Sequence, residues 1–94
     1  LQAIDEAVGA RRPLDFDYYS ASGASVKRRR VRPYGRGDQF GNQYLIGWDE
    51  TGQPPGQRTF RLDRMTGLTV ASDQPAFEPP AGFDLAAELE RIGP

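Results

Sequence analysis

Arginine is the residue type in this sequence best suited to chemistry, with 11 arginines against a single lysine. Six basic residues and no acidic one lie between Lys27 and Arg36, and a second group follows at Arg58, Arg61 and Arg64. Guanidinium groups form forked hydrogen bonds to phosphates and carboxylates, and they stack on aromatic rings. The two groups therefore predict a site for an anion, provided that the fold brings them together.

The sequence contains no histidine and no cysteine. Their absence excludes Ser–His and Cys–His nucleophile pairs, disulfides and nearly all zinc geometries. The one lysine, Lys27, lies inside a charged run, which is unlike the dry pocket that an activated amine needs. We therefore expect a binding protein and not an enzyme, with no catalytic residue, no metal and no cofactor.

The charges are segregated along the chain although the net charge is only −1. Residues 11–64 contain 11 basic and 6 acidic groups, a net charge of +5, whereas residues 1–10 carry −2 and residues 65–94 carry −4. Segregated charge bears on the choice of partner more than on the fold.

Five aromatic residues, namely Tyr18, Tyr19, Tyr34, Tyr44 and Trp48, interleave with the arginines. If phosphates met the arginines, bases could stack on these rings, a contact worth roughly 1–3 kcal/mol per base. Two alternatives remain open. The basic run could be a solvated edge strand whose charge prevents aggregation, and the aromatic rings could belong to the core.

Five short strands are predicted, with a central one at 43–49, where Tyr44, Ile46 and Trp48 share one face. The other strands are predicted at 14–19, 25–34, 58–62 and 66–71, and helices at 1–10 and 84–92. A low hydrophobic content of 37% and 19 glycines and prolines suit a small β-rich domain. The expected fold is mainly β, a small closed or nearly closed five-stranded barrel with an N-terminal helix and a short C-terminal helix.

Several local features are predicted from the turn and breaker residues. Residues 35–42 should form a turn from which Phe40 plugs one end of the barrel, and Pro33 should lie at an edge or at a strand end. Val26 and Val31 are five positions apart, so a regular strand would place them on opposite faces, which predicts a bulge between them. Asp63 is interpreted as an ion-pair partner of a neighbouring arginine, and Asp63-Arg64 is expected to form a short connection with a single 3₁₀ turn. Phe77 and Phe83 should pack on the barrel, and Asp84 should cap the last helix.

Three segments, in this order and spacing, resemble the WYL domain found in bacterial transcription regulators. They are RVRPY at 30–34, QYL at 43–45 and RTFRLDRM at 58–65, preceded by an LxFxY strand at 14–18. Gln43 stands where the family has the tryptophan of its naming tripeptide. The resemblance implies an SH3-like or Sm-like barrel at 1–71, followed by an extended proline-rich tail with a short helix at 72–94 that could link to a further domain.

The resemblance also implies a ligand-sensing module that binds nucleic acid, single-stranded DNA in some members, or a nucleotide. With Arg32 added from the basic run, the candidate binding residues are Tyr18, Arg30, Arg32, Tyr44, Arg58, Arg61 and Arg64. The expected partner within a longer protein is a helix-turn-helix DNA-binding domain, since the first residue already lies inside a helical pattern. The alternative is a dimerisation or protein-docking module with no nucleic-acid ligand. A cytoplasmic location is expected, because no apolar run approaches membrane-spanning length.

Overall fold

The computed structural model describes residues 1–93 and has a mainly β fold. Its elements are α1 (Gln2–Ala10), β1 (Leu14–Tyr19), β2 (Val26–Gln39), β3 (Asn42–Asp49), β4 (Gly56–Arg61), a 3₁₀ turn (Leu62–Arg64), β5 (Met65–Val70) and α2 (Leu85–Glu90). The five predicted strands, the 3₁₀ turn and the two helices are therefore confirmed.

The strands form one antiparallel sheet in the order β4-β3-β2-β1-β5. β3 lies between β2 and β4, so the prediction that 43–49 is a central strand is confirmed. β2 is also an interior strand, and the interpretation of the basic run as an edge strand is therefore wrong. β4 and β5 are the two edges, so strand pairing does not close the sheet into a barrel.

The sheet is nevertheless strongly curled. In a flat sheet β4 and β1 would lie about 14 Å apart, three spacings of roughly 4.8 Å. Instead, the Tyr18 hydroxyl on β1 accepts a hydrogen bond of 3.0 Å from the Arg61 backbone N–H on β4. The Phe60 ring also contacts Phe16 and Tyr18 edge-on, with centroid distances of 5.4 and 5.0 Å. The curl therefore brings β4 over β1 and encloses the core.

The core lies between α1 and the concave face of the sheet, which we call the inner face. Its fully buried side chains include Ile4 and Ala7 of α1 and Leu14, Phe16, Val31, Leu45 and Phe60 of the sheet. The spacing of Ile4 and Ala7 places both on one face of α1, so docking on the sheet stabilises a helix too short to persist alone in water. Arg11, with a φ of 56°, ends the helix in the left-handed conformation common at helix C-termini.

β2 is longer than predicted, because the residues 35–39 assigned to a turn continue the strand. The turn itself has only two residues, Phe40 and Gly41, whose φ values of 51° and 78° suit a tight hairpin. Phe40 is 60% exposed, so the prediction that it plugs a barrel end is wrong. Gly35 and Gly37 instead make room for a helix, since a Cβ at Gly37 would lie 2.5 Å from a methyl carbon of Leu89 in α2.

The bulge in β2 lies later than predicted. The β1–β2 register is regular from Val26 to Val31, and Val26 is simply exposed, opposite Tyr19 on the convex outer face. The irregularity falls between Pro33 and Gly35, so that Tyr34 is the extra residue. Pro33, predicted at an edge or strand end, therefore lies inside an interior strand, where the adjacent bulge tolerates it.

The segment after β5 runs back along the sheet to α2, which packs on the outer face. Phe77 and Phe83 both pack against the Tyr34 ring, which confirms that they attach this segment to the sheet. The Asp84 side chain accepts a hydrogen bond from the Ala87 N–H and caps α2, also as predicted. Over residues 1–93, neither helix has the length and apolar character to cross a membrane.

Candidate anion-binding site

The seven predicted binding residues do not share one surface. The strand registers place Tyr18 and Arg58 on the inner face. The same registers place four of them on the outer face, namely Arg30, Arg32, Tyr44 and Arg61. Arg64 lies in the 3₁₀ turn between β4 and β5. Two groups of residues with different surroundings therefore have to be considered separately.

On the outer face, Arg30 has two carboxylate partners. Its Nε and Nη2 donate to the two oxygens of Asp15 at 2.7 and 2.9 Å, and its Nη1 donates to Asp73 at 2.9 Å. These hydrogen bonds raise the pKa of Arg30 above its ordinary value. Asp15 is its direct cross-strand neighbour, while Asp73 comes from the segment after β5. Arg30 therefore holds that segment against the sheet.

Arg32 and Arg61 are also paired on this face. Arg32 Nε donates to Glu50 at 2.9 Å. Arg61 Nη2 donates to Asp63 at 2.6 Å and to Asn42 at 3.1 Å, and the hydrogen bond to Asp63 raises the pKa of Arg61. The interpretation of Asp63 as an ion-pair partner is thus confirmed.

On the inner face, Arg29 lies over the aromatic core. Its guanidinium carbon lies 6.0 Å from the Tyr18 ring centroid and 5.9 Å from that of Phe60, within the range of cation–π attraction. Its Nη1 donates to Asp49 at 2.9 Å, while its Nε is buried and has no acceptor among the described residues. Arg29 was not among the predicted site residues. Arg29 lies two positions before Val31, the one valine of the basic run, so alternation places both on the face that packs on the core. That spacing could have identified Arg29.

Asp49 is the carboxylate of this inner cluster and is completely buried. One oxygen, Oδ1, accepts from both the backbone N–H and the hydroxyl of Thr51, at 2.9 and 2.5 Å. The other oxygen, Oδ2, accepts from Arg29. The carboxylate is therefore fixed from both sides, and it fixes the Arg29 guanidinium in turn.

Arg58 borders the same space without a carboxylate of its own. Its Nη2 donates to the carbonyl of Pro54 at 2.8 Å, and the structure of residues 1–93 contains no ion pair to it. A Cβ placed on Gly52 would lie 3.1 Å from Arg58 Nη2 and 3.4 Å from Asp49 Oδ2. Gly52 thus leaves space beside both charged groups. On Gly56, a Cβ would lie 2.9 Å from Arg58 Nη1.

Lys27 extends this basic group, since it lies directly opposite Tyr18 on the inner face. We call Lys27, Arg29, Arg58 and Asp49 the inner cluster; its formal net charge is +2. Lys27 forms no ion pair with any other residue in the described part of the chain, and the same is true of Arg64. An anion with several charged oxygens could pair with these groups, because guanidinium groups bind such oxygens through forked hydrogen bonds.

Most of the tyrosines predicted to stack bases instead pack against other residues of the domain. Tyr44 is 8% exposed. Tyr18 is half-buried against Phe16 and Phe60, although its ring adjoins the inner cluster. Tyr19 is 41% exposed at the end of β1 and offers an open ring surface.

A family model for the WYL domain matches residues 1–70. The chain belongs to the WYL domain family. Gln43, at the position of the family tryptophan, is exposed and accepts a hydrogen bond of 3.3 Å from Arg36. Trp48 does not replace that tryptophan, because alternation along β3 places positions 43 and 48 on opposite faces.

A solved structure, that of proteasome accessory factor B/C (PafBC) of Arthrobacter aurescens, is similar to this WYL domain. The two are 38% identical with a TM-score of 0.83 over 98% of this chain. The match spans 14% of the PafBC chain. A comparison with curated proteins found no match. Family membership and the likeness to PafBC support a regulatory role for the domain.

Proposed function

We propose that this WYL domain is the ligand-sensing domain of a bacterial transcription regulator, and that its inner cluster binds single-stranded nucleic acid or a nucleotide. In this proposal the domain has no catalytic role and acts on a linked helix-turn-helix domain. The observation that carries the proposal is the local excess of positive charge, three basic groups against Asp49 alone. By contrast, Arg30, Arg32 and Arg61 each have a carboxylate partner.

The geometry of the inner cluster supports the binding of a phosphate group, in addition to the structural role of the Arg29–Asp49 pair. Asp49 balances the charge of Arg29, whereas Arg58 is held by a neutral carbonyl and Lys27 has no ion pair in the described part of the chain, so two positive charges of the cluster have no carboxylate partner. Like charges held close together destabilise the folded chain, and a bound anion offsets that repulsion. Backbone phosphates would pair with these arginines and with Lys27, while the half-buried Tyr18 ring beside Arg29 is the candidate for contacting a base.

The seven residues predicted from the sequence contribute unequally in this proposal. Arg58 and Tyr18 belong to the inner cluster or adjoin it, and Arg64 lies near the end of β1, since the next residue, Met65, pairs with Tyr18. The outer-face members, with Arg30 and Arg32 foremost, hold neighbouring segments and would contribute only if a ligand displaced their carboxylates. We also propose that the curled sheet acts as a small SH3-like barrel with the inner cluster at one opening.

A salt titration with a short fluorescent single-stranded oligonucleotide tests the proposal. Wild-type affinity should fall steeply with salt, because each phosphate contact releases counterions and contributes about 0.7 to the log–log slope for single strands. Arg58→Gln should weaken binding roughly tenfold and reduce the slope by about 0.7, the effect of one lost charge-assisted contact. Arg91→Gln is the matched control, because Arg91 is exposed at the end of α2 and its replacement removes the same charge. Equal effects of the two variants, or a salt-independent affinity, would contradict the proposed site.

The alternative, a dimerisation or docking module, is favoured by one observation. β4 and β5 both end the sheet with an unpaired edge, and an edge strand can pair with another chain. In that case the domain would sediment as a dimer without nucleic acid, and an added oligonucleotide would change neither its mass nor its mobility.

A further inference from the structure

A second concave site lies on the outer side of the molecule, away from the inner cluster. It is a half-open cavity of about 360 Å³, lined by Pro13, Arg32 and residues 74–78. The cavity exists because the chain after β5 runs beside the residues before β1. Ala71 N–H donates to the Pro13 carbonyl and Phe77 N–H to the Arg11 carbonyl, which fixes the two segments side by side.

The wall of this cavity is about half apolar. Pro13 and Phe77 are buried, and Pro75 and Ala76 complete the apolar lining. The volume is at the small end of the range for ligand pockets, about 300–1,000 Å³. It suits a ligand the size of one aromatic ring with a short substituent.

Gln74 and Glu78 are polar residues of the wall, and Glu78 accepts a hydrogen bond of 2.7 Å from Arg11. Arg32 is the cation of the cavity, and its orientation is fixed by a chain of hydrogen bonds. Its Nε donates to Glu50 Oε2 at 2.9 Å, and Glu50 Oε1 accepts from Gln74 Nε2 at 3.2 Å. The two terminal nitrogens of Arg32 donate to no residue in the described part of the chain, and the side chain is 44% exposed. Glu50 thus holds the guanidinium by one edge and leaves its terminal nitrogens available.

We propose that this cavity binds a small organic carboxylate, with Arg32 forming a forked pair to the carboxylate and the proline and phenylalanine walls contacting its apolar body. Because Glu50 already balances the charge of Arg32, long-range attraction is weak and a bare inorganic anion gains little. Forked hydrogen bonding and apolar contact must therefore act together, which selects an anion with an apolar body. The site is separate from the inner cluster and does not depend on the function proposed for it.

Benzoate and its neutral isostere benzamide are suitable probes, followed by amide and arginine Nε–H NMR signals of the whole chain. Benzoate should give saturable shifts at residues 74–78 and at Arg32 Nε, and benzamide should bind at least about tenfold more weakly, because it lacks the charge that strengthens such hydrogen bonds. Equal affinities, shifts that do not saturate, or shifts centred on Arg29 and Arg58 would overturn the proposal.

Two variants separate the cavity from the rest of the fold. Arg32→Lys keeps the charge and loses the fork, so benzoate affinity should fall. Ala76→Trp fills the cavity and leaves the pairing of Arg32 and Glu50 intact, so benzoate binding should be lost while oligonucleotide affinity stays unchanged. Ala76 is exposed, so this variant should keep its fold even if Arg32→Lys does not. Unchanged benzoate binding by Ala76→Trp would refute the assignment.

Discussion

Replacing Asp49 by asparagine should lower the stability of the domain while raising its affinity for an anion. Asp49 is fully buried and pairs with Arg29, whose side chain is 22% exposed. Removing one partner of a buried ion pair costs about 3–5 kcal/mol because the other charge stays desolvated. An asparagine Oδ1 can still accept from the Thr51 N–H, and water can reach part of Arg29. We therefore expect a loss near the lower end of that range, about 3 kcal/mol.

Anion affinity should change in the opposite direction. Asp49→Asn raises the formal charge of the inner cluster from +2 to +3 and releases Nη1 of Arg29. A phosphate would then no longer compete with a carboxylate. Oligonucleotide binding by the folded fraction should therefore be tighter at low salt, and the gain should shrink as salt screens the charges.

Urea unfolding and oligonucleotide anisotropy measure the two effects on the same samples. A double-mutant cycle with Arg29→Gln should give a coupling of about 1.5–3 kcal/mol, the range for hydrogen bonds to charged groups. The exposed Asp5–Arg36 pair is the control and should show much weaker coupling. A negligible Asp49–Arg29 coupling, or an affinity that falls in folded Asp49→Asn protein, would refute the reasoning.

Four further changes test the fold. Gly47→Ala should lower the free energy of unfolding by about 1–3 kcal/mol or more, since its Cβ would lie 2.3 Å from a β2 backbone carbonyl oxygen. Urea unfolding measures this loss, and an unchanged free energy would contradict that packing. Gly9→Ala, with nothing within 4 Å of its Cβ, should instead stabilise α1 by about 0.5–1 kcal/mol, and a loss would show that the helix is strained there. The hydrogen bond from Arg36 holds the pKa of Asp5 below its ordinary value. The stability that this pair adds to the folded state is therefore fully present above the unfolded-state pKa of about 3.9. It is lost as pH falls through the lower folded pKa. Asp5→Asn should remove that part of the acid unfolding transition, and an unchanged dependence of stability on pH would argue against the pair. Tyr18→Phe should cost about 1 kcal/mol by removing the acceptor for a β4 backbone N–H, and thermal unfolding indistinguishable from wild type would contradict this bond.

The elements could be predicted because their patterns are local. Alternation in 14–19 and 43–49 and helical spacing in 1–10 depend only on neighbours along the chain, and each matches an observed element to within a residue or so. The glycines of 35–39 misled the prediction because glycine favours turns. Here Gly35 and Gly37 make room for the leucines of α2, which lies some fifty residues later, and no local pattern reveals that contact.

The candidate site was predicted less completely, because the charge available at an arginine depends on where carboxylates lie in space. Alternation along the basic run is enough to place Arg29 on the opposite face from Arg30 and Arg32, as the register shows. It could not show that Asp73 and Glu50, from other segments, neutralise the outer-face arginines. Nor could it show that the interior side of the basic run points toward Asp49 and the aromatic core.

The bulge at Tyr34 follows from the dimensions of the molecule. A straight strand of 14 residues would measure about 45 Å, whereas the longest dimension of the protein is 35 Å. β2 must therefore change direction, and the extra residue provides the corner. Since side chains alternate with a period of two, deleting Tyr34 would exchange the sides of everything beyond it. Arg36 would then point away from Asp5 of α1, and Gly37 would no longer face α2. The one inserted residue therefore sets the contacts of β2 with both helices.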